Sequence, residues 1–214
     1  MLLDDHAAYQ ALTARDPRFD GLWFVGVTST RIYCRPICRV RTPKRENCRF
    51  FDTPAQAEAA SFRPCLKCRP EIAPGPGVRW TVMDSSKTLA QQAALELDRH
   101  AANGDLPSLA DAAQRLGVSD RHLRRIFVAE HGVTPVQYLQ TRRLLLAKQL
   151  LTDTQLPIAQ VALSSGFKSL RRFNAAFAEN YRMSPSRLRG HAADTPPRAD
   201  GAVTMVLGYR TPYD

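Results

Sequence analysis

From about residue 85 to residue 190 the apolar positions return three and four residues apart, the spacing of one helical face. Leu109, Ala112, Ala113 and Leu116 form one such face, with Ser108 as a predicted N-cap and Gly117 as the stop. Ser119 caps the next predicted helix, whose buried face is Leu123, Ile126 and Phe127. Two short helices joined by a tight turn containing Gly predict a helix-turn-helix. The pattern then returns 50 residues later: Ser169 for Ser119, Phe173 for Leu123, Phe177 for Phe127, and Ser184-Pro185 for Thr134-Pro135. Ile158, Val161 and Ala162 repeat the apolar triplet, and Gly166-Phe167 stands where Gly117-Val118 stood. This is an internal duplication. The leucine-rich stretch from Pro135 to Leu151 predicts a helix joining the copies.

Residues 1–73 lack that period and hold all five cysteines, at 34, 38, 48, 65 and 68. The two Pro-Gly steps at 74–77 can continue neither a helix nor a ladder, so residues 74–84 are a predicted linker. A second linker and a strand-like stub occupy 191–214. The expected chain is multidomain, with a four-cysteine domain at 1–73 and an all-α double helix-turn-helix domain at 85–190.

Charge sharpens this picture. Thirty Lys and Arg against 20 Asp and Glu give +10 over 214 residues, so the expected partner is a polyanion, with nucleic acid first. The basic residues are placed, too. Off the apolar face, the second helix of the first copy carries Arg121, His122, Arg124 and Arg125. Its repeat carries Lys168, Ser169, Arg171, Arg172 and Asn174. A helix entering a major groove needs Arg and Asn for base edges, Lys and Arg for phosphates, and apolar residues behind. No apolar run approaches the roughly 18 residues that span a bilayer. The acidic, interrupted start MLLDDHAAYQ is not a secretory signal, so a cytoplasmic protein is expected.

Cys34-x3-Cys38 and Cys65-x2-Cys68, separated by 26 residues, have the spacing of a tetrahedral four-thiolate zinc site. A disulfide framework and a redox-active Cys65-x-x-Cys68 are the alternatives; the odd cysteine count and the reducing compartment weigh against the first. Cys48 reads as a small, partly buried hydrophobe, with a spare thiol near the metal as the alternative. The five histidines are scattered and form no ligand cluster.

Ile158 to Phe177, followed by Ser184-Pro185, resembles the second helix-turn-helix of AraC/XylS-type transcription regulators. The resemblance implies two helices in adjacent major-groove segments of double-stranded promoter DNA, read by a monomer, with RNA polymerase as a further partner. Thr30 to Cys38, Arg45-Glu46-Asn47 and Ser61 to Pro70 resemble the N-terminal domain of the Ada family of DNA-repair methyltransferases. That resemblance implies a small α+β zinc domain in which Cys34 accepts a methyl group from DNA methylphosphotriesters. Cys38, Cys65 and Cys68 would complete the Zn²⁺ ligands, and Thr30, Arg41, Arg63 and Lys67 would hold the DNA backbone. Each molecule would act once, and the linked helix-turn-helix pair would activate transcription. No Pro-Cys-His-Arg motif is present, so no repair of O6-methylguanine is expected. The stub from Val203 to Asp214 resembles the opening strand of an AlkA-type glycosylase. Two alternatives follow: a zinc-stabilised regulator without methyl transfer, and a DNA-targeting module of a glycosylase fusion.

Overall fold

The computed structural model describes residues 4–74, 85–103 and 109–193. The predicted Ser108 cap, most of the 74–84 linker, and the stub lie outside them.

The N-terminal region opens with helix α1 (Asp5–Ala14), capped by the Asp4 side chain on the Ala7 N–H. Strands β1 (Phe24–Val27), β2 (Ile32–Cys34), β3 (Cys48–Phe51) and β4 (Arg63–Pro64) form one sheet in the order β3-β1-β2-β4. β1 runs antiparallel to β2 and β3, and β2 runs parallel to β4 with Ile32 opposite Arg63 and Tyr33 opposite Pro64. Helix α2 (Pro54–Ala59) begins at Thr53, whose hydroxyl accepts from the Gln56 N–H. Successive strand residues point to opposite faces, and the sheet divides its core accordingly. Trp23, Val25 and Cys34 pack with α1, while Phe24, Tyr33, Phe51 and Phe62 pack with α2. Gly26 is required where it stands: a Cβ there would lie 2.7 Å from the Phe51 ring and 2.9 Å from the Phe62 ring. The sheet and helices are the α+β architecture expected of this region.

The C-terminal region is helical: α3 (Ser85–Asn103), α4 (Leu109–Arg115), α5 (Asp120–His131), α6 (Pro135–Asp153), α7 (Ile158–Ser164), α8 (Leu170–Tyr181) and α9 (Pro185–Ala193). Ser119 and Ser169 cap α5 and α8 through the N–H groups of His122 and Arg172. Thr134 and Gln137 form a reciprocal capping box on α6. The α6 helix, about 28 Å long at 1.5 Å per residue, carries both copies. Leu97, Leu123, Phe127 and Tyr138 centre the first core; Leu144, Leu151, Val161, Phe173 and Phe177 centre the second.

The two regions meet along a polar seam on α6 that the sequence reading did not anticipate. Glu58 of α2 accepts from Tyr33 (3.0 Å) and Thr141 (2.9 Å). Burial pushes the Glu58 carboxyl up to about 7, against the lowering effect of those two bonds. Lys148, only 1% exposed, pairs with Glu71. Arg69 spans Glu71 (3.1 Å) and Asp153 (2.7 Å). Gln56 donates to the carbonyl of His131 at 2.8 Å. Among the described residues, no helix is long and apolar enough to cross a membrane.

Candidate metal centre

Backbone pairing assembles the four cysteines. Cys34 ends β2. The Cys65 N–H donates to the carbonyl of Tyr33 at 2.9 Å, which sets Cys65 beside Cys34 at the same end of the parallel pair. Cys38 is folded back by a turn in which its N–H donates to Arg35 O. Cys68 closes the set, its sulfur accepting from the Arg35 N–H at 3.3 Å. All four Sγ atoms lie within 4.8 Å of one another. Sulfurs at about 2.3 Å from a tetrahedral zinc ion stand about 3.8 Å apart, so the set fits Zn²⁺.

The donor chemistry also calls for a cation. The thiols bond one another, and contact with Cys38 is the largest influence raising Cys34. Contact with Cys34 lowers Cys65 and brings Cys38 down to about 7. Burial opposes the thiolate at every one of the four. Four thiolates this close repel one another unless a cation sits among them. Cys34 is 4% exposed, so the sulfur expected to react is nearly enclosed.

A buried ion pair braces the centre. Arg35 donates to Asp20 through Nε (2.8 Å) and through a second, shorter contact, and to the Cys68 carbonyl at 3.2 Å. Asp20 stands 15 residues upstream of Arg35, and no local pattern marked it. Cys48 lies outside the cluster, on β3, with its thiol donating to Lys44 O at 3.3 Å. It is the small buried residue expected.

The remaining expected contacts are dispersed. Thr30, Arg41 and Lys67 are exposed and Arg63 is half-buried. Thr30 and Arg63 share one cleft, which includes neither Arg41 nor Lys67. On α5, Arg121, Arg124 and Arg125 are exposed and His122 is half-buried. Arg124 pairs with Asp120 at 2.8 Å, and Arg125 meets His122 at 3.1 Å. Lys168, Ser169, Arg171, Arg172 and Asn174 are all exposed around the start of α8.

The fold and site define a four-cysteine metal-binding domain joined to a double helix-turn-helix. Residues 7–71 match the metal binding domain of Ada, and residues 112–191 match a helix-turn-helix domain. The chain is 31% identical over 184 residues to the bifunctional transcriptional activator/DNA repair enzyme AdaA of Bacillus subtilis, covering 85% of this chain and 81% of that one. It is 34% identical over 213 residues to the probable bifunctional transcriptional activator/DNA repair enzyme AlkA of Mycobacterium tuberculosis, covering 98% of this chain and 42% of that one. To the bifunctional transcriptional activator/DNA repair enzyme Ada of Escherichia coli it is 31% identical over 191 residues, or 87% and 49% of the two chains. The chain thus spans half or less of the length of the last two relatives. It belongs to the Ada family.

Proposed function

We propose that the protein answers DNA alkylation damage by taking a methyl group from a DNA methylphosphotriester onto Cys34, irreversibly, and then activating transcription through its helix-turn-helix pair. The supporting observation is the four-sulfur cluster with Cys34 at the end of β2, in a chain that also presents two helices with exposed basic faces. A bound Zn²⁺ would hold the cysteines as thiolates at neutral pH. Cys38, Cys65 and Cys68 hold three corners of the cluster and orient the fourth sulfur. The Cys34 sulfur attacks the methyl carbon: one S–C bond forms, the C–O bond to the phosphotriester breaks, and the phosphodiester leaves as an anion. No base or co-reactant is consumed. The product is a thioether, and this scheme contains no step that reverses it, so each molecule turns over once.

The proposed partners are double-stranded DNA, damaged backbone and promoter alike, and RNA polymerase, met by a monomer in the cytoplasm. Thr30, Arg41, Arg63 and Lys67 take the damaged backbone; the basic residues of α5 and α8 read the promoter. The domain limits 1–73 and 85–190 belong to the same proposal. A second reading, a structural zinc site on a plain regulator, is favoured by the small exposure of Cys34. The mass of zinc-loaded protein after incubation with methylphosphotriester DNA separates the two, with Cys34→Ala as control. One added methyl group mapped to Cys34 is the expected result. No adduct, with zinc bound and DNA binding intact, leaves only the second reading.

A further inference from the structure

A cleft of about 400 Å³ opens where the metal-binding region meets α8, lined by Thr30, Arg31, Ser61, Arg63, Asn180 and Arg182. Three guanidinium-bearing residues from three segments converge on it, and no carboxylate lines it. Arg31 and Arg182 are exposed and Arg63 is half-buried; the more enclosed Arg35, Arg69 and Lys148 are paired with Asp20, with Glu71 and Asp153, and with Glu71. Among the described residues, Arg31, Arg63 and Arg182 have no such ion pair. Arg31 rests over the Phe62 ring, 5.6 Å from its centroid. The Arg63 N–H donates to Arg31 O at 2.8 Å, which fixes one wall. Arg31 and Ser61 hold positive φ, at 55° and 65°, in the turns that precede β2 and β4, and Arg182, at 56°, is the left-handed C-cap of α8. The Ser61 hydroxyl adds a donor, while the Thr30 hydroxyl donates to Val27 O at 3.5 Å and the Asn180 amide N–H to Ala176 O.

Converging arginines without a counterion suit a phosphate, whose oxygens accept bidentate guanidinium bonds. The position of the cleft indicates whose phosphate it is. Arg31 and Arg63 flank the N-terminal ends of the parallel strands β2 and β4, and Cys34 and Cys65 stand at their C-terminal ends. Three residues of strand separate Arg31 from Cys34, roughly 10 Å. Arg182 directly follows α8, the helix carrying Arg171, Arg172 and Asn174.

We propose that this cleft, formed by Arg31 and Arg63 of the metal-binding region together with Arg182 of the second helix-turn-helix, is a phosphodiester-binding site. It takes a backbone phosphate of the duplex whose damaged phosphate is presented to Cys34. The inference rests on the DNA-binding reading above. It extends that reading by making α8 and the acceptor cysteine share one DNA strand, so the spacing between damage and second half-site is fixed by the protein.

The test uses the zinc-loaded full chain and a non-specific 20-base-pair duplex, with affinity measured across salt concentrations. In Arg31→Gln/Arg182→Gln, the slope of log affinity against log salt should become shallower by about 1, and affinity in 0.1 M salt should fall about tenfold. Arg18→Gln/Lys87→Gln removes the same net charge from outside the cleft and should move the slope far less. Arg31→Lys/Arg182→Lys keeps the charge and should keep the slope. A slope equal to wild type in the Gln pair overturns the proposal. So does a Lys pair whose slope is as shallow as that of the Gln pair, since the slope follows charge whatever the geometry of the bonds. Inorganic pyrophosphate serves as the second probe. If it raises the Tm of wild type alone while the DNA slope is unchanged in the Gln pair, the cleft serves a small phosphate and the DNA assignment fails. Methyl transfer is read separately by mass on the wild type. Its failure, with the slope difference intact, would sink the acceptor reading and leave the cleft standing.

Discussion

Glu130, His131 and Gly132 close α5; exactly one repeat later, Asn180, Tyr181 and Arg182 close α8. The two turns share their backbone form, with φ of 69° at Gly132 and 56° at Arg182. Their neighbours differ. The first end meets the metal-binding region through one neutral bond, Gln56 to the His131 carbonyl, and a Cβ on Gly132 would come 3.0 Å from the Gln56 amide. The second end presents Arg182 to the arginine cleft and buries Tyr181 beside the seam. One core position is kept, since Phe127 and Phe177 are both fully buried, although Phe173 fills the place of Leu123. A further divergence lies where each copy touches the metal-binding region. Duplication supplied two equivalent units, and the interface made them inequivalent.

The largest break in that comparison should come from the charged half of the seam. Lys148→Ala leaves Glu71 enclosed beside Arg69 alone and should cost about 3–5 kcal/mol in urea unfolding of the zinc-loaded protein. Lys148→Met with Glu71→Gln should recover most of it. A loss under about 1 kcal/mol would show that the pair is not buried in solution.

Glu58 gives the next effect. Its folded pKa, near 7, lies above the ordinary 4.5, so between those values the native state holds a proton that the unfolded chain has released. Its stabilising contribution is therefore complete below pH 4.5 and is lost as pH rises towards 7. Relative to Glu58→Gln, the wild type should lose up to about 3 kcal/mol over that window. A stability difference that is flat with pH would contradict the buried carboxyl.

The neutral end should matter least. Gln56→Ala removes the bond to His131 and should cost about 1 kcal/mol. A cost matching that of Lys148→Ala would erase the asymmetry between the two ends.

What the sequence disclosed follows the range of each interaction. Ser119, Ser169 and Thr134 cap helices through bonds spanning three residues, and the cysteine pairs sit within single turns, so residue spacing revealed both. Strand β4 is two residues long and exists because it pairs with β2, so no local pattern could mark it. Lys148 sits in a long amphipathic helix, where a lone lysine reads as solvent-facing; only the arrival of Glu71, 77 residues away in sequence, encloses it. Asp20, Glu58 and Arg182 carry no local signal for the same reason, since their partners come from other elements. The basic residues of α5 and α8 were legible because helical periodicity alone turns them outward.

Tyr33 and Cys34 are neighbours on one short strand, yet they serve opposite faces of the sheet. The thiol belongs to the sulfur cluster and the phenol to Glu58 at the seam. A one-residue slip in the β1–β2 turn would exchange them, placing a ring among the sulfurs and a thiol against the carboxylate. An insertion or deletion that shifts the register of β2 by one residue would therefore disturb both sites at once. Metal chemistry and domain docking thus share one reading frame of β2.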